Sequence, residues 1–233
     1  MSVTEFNIVE PVRLRLPVTI RGLAPLMTNR MSDEARAELE NPNPRHKASR
    51  GARVFPGREA VAQSHLHIID AEKKRYGIPT AAVYQSMVDA ACNLGIFKTR
   101  VRGIFRIESP LRDEPGLAVD KHRLLEIRRP DEPGPYGDYE IDSVIGKPPT
   151  SKVPMPIHRP RFNEWEIDLF LSWNSALIEG VTLLNLLETA GDTMGIGPFR
   201  PQCEGEYGIF TIKDRKDVDL AVTAKRAEVK DAA

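Results

Sequence analysis

The sequence predicts a single α+β domain with a ferredoxin-like, split βαβ core, in which two helices lie on one face of a four-stranded antiparallel sheet and two long insertions interrupt the chain. Three observations predict it. Two stretches alternate apolar and polar residues with a period of two; an amphipathic helix and a further strand follow each of them; and the proline-rich excursions fall between these elements.

The first strand is read from Val12, Leu14, Leu16, Val18 and Ile20, with Arg13, Arg15 and Thr19 on the opposite face. Ala24-Pro25-Leu26-Met27 breaks the alternation. Ser32-Asp33-Glu34-Ala35-Arg36 has the form of a capped helix start, with Asp33 as a cap, and Asn41-Pro42-Asn43-Pro44 ends that helix. Residues 45–58 read as a basic loop. Leu66-His67-Ile68-Ile69 and Arg75-Tyr76-Gly77-Ile78 fit a short hairpin, and a helix over 58–73 fits nearly as well. Pro79 suits the first position of a helix whose apolar face is Ala82, Val83, Met87, Val88, Ala91 and Leu94, closed by Gly95. Val101 to Ile107 reads as a second strand, with Gly103, Phe105 and Ile107 on one face and Arg100, Arg102 and Arg106 on the other. Residues 109–160 hold ten prolines and only short apolar runs, so they are expected to form an inserted arm outside the core. Trp165, Ile167, Leu169, Leu171 and Trp173 mark the third strand. A helix over 175–194 follows through Leu177, Val181, Leu184, Leu187 and Met194, then a Gly-rich loop and a last strand, Tyr207 to Ile212. Residues 214–233 form a charged tail whose Val218, Leu220 and Val222 could pack.

The 233 residues carry 33 Lys+Arg and 33 Asp+Glu, so the whole chain offers no steering field to a polyanion and any such site must be local. Cys92 and Cys203 form no CxxC pair, which suits free thiols in a reducing compartment. The start, MSVTEFNIVEPVRLRL, has no basic and then apolar leader, and no stretch approaches the roughly 20 apolar residues of a membrane span. The expectation is a cytoplasmic protein with no membrane partner.

Catalytic constellations are weak. His46, His65, His67, His122 and His158 lie outside any metal or nucleophile motif; His65 and His67 would share one strand face, as a structural pair rather than metal ligands. Glu164, Glu166 and Asp168 form a carboxylate row that could hold a divalent ion, which leaves a metal-dependent nuclease as a lesser alternative. Ion pairs to Arg13 and Arg15 on the neighbouring strand explain the row better. The expected catalytic, metal and cofactor assignments are therefore none. Gly195-x-Gly197 follows a helix instead of preceding one, so it is no dinucleotide fingerprint. It serves a tight turn or the close approach of another chain, with Arg200 beside it. Local charge says more. Residues 41–60 carry Arg45, Lys47, Arg50, Arg53 and Arg58 against Glu59; residues 98–106 carry Lys98, Arg100, Arg102 and Arg106; residues 147–161 carry Lys147, Lys152, Arg159 and Arg161 with His158 and no acid. Arginine forms bidentate phosphate contacts, so these patches point to a polyanion. The aromatic signature of base-stacking RNA-recognition sheets is absent; Arg102-Gly103-Ile104-Phe105 is a faint echo.

Ile20-Arg21-Gly22-Leu23-Ala24-Pro25-Leu26, the segment Arg159-Pro160-Arg161-Phe162-Asn163-Glu164-Trp165, the loop Gly195-Ile196-Gly197-Pro198-Phe199-Arg200-Pro201 with Gly205-Glu206-Tyr207-Gly208, and the two insertions resemble the RAMP superfamily. Within it the layout resembles the Cas-seven-type backbone subunits of CRISPR effector complexes and related stand-alone phage or prophage proteins. The resemblance implies an RRM-like palm, a fingers-like insertion at 24–78 and a thumb-like arm at 109–160. It implies a non-catalytic subunit, active in antiviral defense, that binds single-stranded RNA, with DNA as the alternative. Such subunits self-associate head to tail into a filament or multi-subunit complex. Carried over by position, the nucleic-acid contacts are Asn29, Arg30, Arg45, Lys47, Arg50, Arg53, Lys152, His158, Arg159, Arg161, Gly195, Gly197 and Arg200. A phage structural or assembly protein without nucleic acid is the alternative from another class.

Overall fold

The structure, a computed structural model, describes residues 12–31, 33–40, 57–146 and 155–231. It is a mixed α+β fold in which, among the described residues, every strand pairing is antiparallel. Strand β1 (Arg13–Gly22) buries Leu16, Val18 and Ile20, as its alternation predicts. A short β2 (Leu26–Met27) and helix α1 (Asp33–Glu40) follow. Both readings of the next segment hold in part: helix α2 (Arg58–Ser64) precedes a hairpin of β3 (His67–Asp70) and β4 (Arg75–Pro79). Helix α3 (Thr80–Asn93) buries Val83, Met87, Val88, Ala90 and Ala91.

The predicted strand from Val101 is only half a strand. Lys98–Val101 forms a helical turn, α4, and Gly103, at φ +85°, reverses the chain into β5 (Phe105–Glu108). Phe105 and Ile107 are buried and Arg106 is exposed, but Arg100 and Arg102 share no strand face with it. Residues 109–160 are likewise less of an arm than expected. Within them β6 (Leu124–Arg128) joins the main sheet and buries Leu124, Leu125 and Ile127; Tyr136 is buried too. Only β7 (Glu140–Gly146) and β8 (Met155–Phe162) form a separate hairpin, and β2 pairs with β8 to make a three-stranded second sheet.

Strand β9 (Glu166–Asn174) is central. It pairs with β1 along its whole length on one edge, and on the other with β5 through residues 170–173 and with β6 through residues 166–167. Helix α5 (Gly180–Thr193) is followed by β10 (Phe210–Ile212), which pairs with the far edge of β1. The sheet order is β10-β1-β9-β6-β4-β3, with β5 beside β9. Cross-strand pairs Leu16↔Leu171, Val18↔Leu169 and Ile20↔Ile167 lie on the face covered by α3 and α5, whose Met87, Leu183, Leu184 and Leu187 complete one core. The charged tail is helix α6 (Arg215–Asp231), anchored by the buried Val222.

Candidate nucleic-acid interface

The segments that carried the resemblance meet at one junction. Gly22 donates its N–H to the Trp165 carbonyl at 2.9 Å, and the Trp165 indole N–H donates to the Ala24 carbonyl at 2.8 Å. A Cβ on Gly22 would lie 2.2 Å from that indole, so the glycine is required by the ring beside it. Leu26 and Met27 pair with Phe162 and Arg161. The Gly208 N–H donates to the Pro25 carbonyl at 2.8 Å, closing the Gly-rich loop onto the same turn. Gly197 adopts φ +80°, and a Cβ there would lie 2.5 Å from the Met27 carbonyl. The close approach at Gly197 is thus made by the protein's own β2.

On this junction sits Arg159. Its guanidinium carbon lies 5.5 Å from the centre of the Phe199 ring, and its Nε and Nη1 are buried with no hydrogen-bond partner among the described residues. Asp142 stands opposite Arg159 across the β7–β8 hairpin, but its carboxylate faces elsewhere: it accepts from the Tyr207 hydroxyl at 2.8 Å and pairs with Arg161 at 3.6 Å. Burial lowers the Arg159 pKa below its ordinary value, the mark of a cation without a counter-charge. Phe199 itself is held at φ +56°, a backbone region uncommon for an aromatic residue, with its carbonyl accepting from the Tyr207 N–H at 3.0 Å.

Two histidines lie near this junction. His65 is the cap residue of α2, off the strand that was expected to display it beside His67. Its carbonyl accepts from the Arg30 N–H at 2.9 Å and from the Thr28 hydroxyl at 3.0 Å. Burial pushes the His65 pKa down, and Arg159 adds to the shift. His67 is pushed down to about 4 by burial, then by the charges of Arg30 and Lys121. Burial, more than the neighbouring charges, thus holds both imidazoles toward the neutral form, and Lys121 is itself paired with Asp120 at 3.2 Å. Beside them a cleft of about 280 Å³ is lined by Asn29, His67, Gly197 and Arg200.

The other expected contact residues are distributed unevenly. Arg45, Lys47, Arg50, Arg53 and Lys152 lie outside the described residues. Arg161 is held by Glu140 at 2.5 Å, so its charge is already met. His158 shares a hydrogen bond of 2.8 Å with Ser143 on the hairpin. Arg200 donates to the Gly197 carbonyl at 3.0 Å and to the Gln202 side chain at 2.7 Å, both neutral, and among the described residues it pairs with no carboxylate. Gly195 lies at φ +65° against Pro201, in a tight helix-to-loop turn. Phe199 and the two histidines were not among the expected contacts; the R-P-R-F segment and the Gly-rich loop signal them only once β2 and β8 are paired.

No family model and no curated protein matches the chain.

The opposite sheet face, away from α3 and α5, is neutralised by ion pairs. The register sets Thr19 opposite Asp168 and Arg21 opposite Glu166, so Arg13 and Arg15 are not the partners of the carboxylate row. Arg21 and Lys213 hold Glu166 at 2.5 and 3.0 Å, and both also bind Asp131. Burial would raise the Glu166 pKa, but hydrogen bonds from Lys213 and Arg21 bring it below its ordinary value. Asp168 accepts from Thr19 at 2.7 Å and pairs with Arg128. Arg15 instead pairs with Glu108 at 3.0 Å while covering the Phe170 ring at 3.7 Å. Glu164 lies before β9, off the row. Among the described residues no three His, Cys, Asp or Glu side chains converge as metal ligands, and no helix is long and apolar enough to cross a membrane.

Proposed function

We propose that this chain is a non-catalytic, single-stranded nucleic-acid-binding subunit that self-assembles head to tail along its strand in the cytoplasm, with RNA as the strand it binds. The observation that carries the proposal is Arg159: its Nε and Nη1 are buried without a partner among the described residues, and its guanidinium lies against Phe199. Turned outward toward a bound strand, the guanidinium would offer Nε and Nη1 to a phosphate oxygen and so satisfy both, and an unstacked base could share the exposed side of Phe199. The strand order β10-β1-β9-β5, with α3 and α5 as the two crossovers, supports reading the core as a ferredoxin-like, RRM-like split βαβ unit extended by β6, β4 and β3. The ion pairs on the opposite face favour backbone recognition at the β2–β8 junction over base stacking on the sheet. The β7–β8 hairpin, with Ile145 79% exposed, is the segment that would reach the next copy.

The test is fluorescence anisotropy of a labelled single-stranded RNA between about 50 and 200 mM salt. Affinity is expected to fall steeply with salt, and Arg159→Gln is expected to weaken it about tenfold or more, the loss of a charge-assisted pair. Undetectable or salt-independent binding overturns the proposal. The exposed Leu94 and Phe97, at 62% and 73%, favour a second reading, an assembly protein without nucleic acid. A large assembled particle with the 260/280 absorbance ratio of pure protein would select it.

A further inference from the structure

A second cleft, of about 500 Å³, opens on the other side of the first turn of α3. Three exposed arginines line it from three separate segments: Arg106 from β5, Arg112 from the 3-10 turn Pro110–Asp113 and Arg123 from the 3-10 turn Val119–Arg123. Among the described residues none of the three has a carboxylate partner. The acids there are engaged by other cations: Glu108, which also lines the cleft, and Asp113 by Arg15 at 3.0 and 3.2 Å, and Asp120 by Lys121 at 3.2 Å. Three like charges drawn to one cleft repel each other, and an anion in their midst would offset that cost. The wall of the cleft is Tyr84, whose ring lies 5.2 Å from that of Phe105.

The two clefts adjoin. Pro79 and Ala82 line the first, while Thr80, Ala81 and Tyr84 line the second. These residues fall within two turns of α3, and one turn advances about 5.4 Å. Lys121, one residue from the lining of the second cleft, lies close enough to His67 in the first to act on its charge.

We propose that the strand bound at the Arg159 junction continues around the first turn of α3 into this second cleft, where Arg106, Arg112 and Arg123 hold its next phosphates. This rests on the nucleic-acid-binding reading above and gives the strand its path. Single-stranded RNAs of about 4 and about 16 nucleotides, lengths that span one short and one extended site, are titrated across a range of salt. Removing two phosphate contacts with Arg112→Gln/Arg123→Gln is expected to lower the slope of log K against log salt by about 1.4 for the longer strand, at about 0.7 per contact. The shorter strand, which fills the Arg159 junction alone, is expected to bind the double variant as it binds the wild type. Arg159→Gln is expected to weaken both. If Arg159→Gln weakens binding and the double variant leaves the long-strand slope unchanged, the path is overturned and the function stands. Loss in the double variant alone also overturns the path, because the second cleft would then act without the first. If neither variant changes binding, both proposals fall.

Discussion

Replacing Arg159 by Met should make the free protein more stable while removing its affinity for nucleic acid. Methionine keeps most of the length of the arginine stem and fills the space against Phe199 without polar hydrogens. In the free protein Nε and Nη1 of Arg159 are buried without partners, and an unsatisfied buried donor costs about 1–3 kcal/mol. The substitution relieves two such donors and forfeits a cation–π contact, here at 5.5 Å, worth about 0.5–2 kcal/mol. Because the arginine is only partly buried, the net gain is about 1–2 kcal/mol. At about 2–4 °C per kcal/mol for a chain of this size, the melting temperature should rise by about 2–8 °C. Urea denaturation followed by circular dichroism measures the gain directly, as a higher midpoint at unchanged m-value. Anisotropy on the same samples measures the loss of binding. A variant that is less stable than the wild type would refute the reasoning, since the guanidinium would then be paired in solution and serve the fold; a stabilised variant with intact affinity would remove Arg159 from the interface.

Two further substitutions probe the frame that holds the site. Gly22→Ala places a methyl 2.2–2.7 Å from the indole of Trp165, which is fully buried and hydrogen-bonded to Ala24. An expected loss of about 2 kcal/mol or more, from overpacking, is checked by the urea midpoint. His67 titrates near 4 in the folded chain, below its ordinary value of 6.5, so the unfolded chain takes up the proton first. Its contribution to stability is complete above pH 6.5 and is lost as pH falls toward 4; His67→Gln should flatten the unfolding midpoint across that window, and an unchanged pH profile would show that His67 is not desolvated.

Much of the core was legible because half-buried antiparallel strands and amphipathic helices write their inward faces into the sequence. The alternation of Leu16, Val18 and Ile20 and of Ile167, Leu169 and Leu171, and the spacing of Val83, Met87 and Leu184, need no knowledge of the neighbour, since each element has a single face to bury. Arg159 could be proposed from the acid-free basic patch at 147–161 and Arg200 from its place beside the Gly-rich loop, although Arg161 of the same patch finds Glu140 across the hairpin. The rest depended on partners. Leu124-Leu125-Glu126-Ile127 is too short to mark itself as a core strand, and it is one only because β4 and β9 each leave an edge to pair with. Arg15 and Arg21 are equivalent in pattern, yet the β1–β9 register gives Glu166 to Arg21 and leaves Arg15 to Glu108. The sequence by itself therefore determined which residues turn inward and where positive charge gathers. Tertiary structure alone decided which cations are neutralised and which, like Arg159, keep their donors open, because an ion pair depends on register and edge, and periodicity records neither.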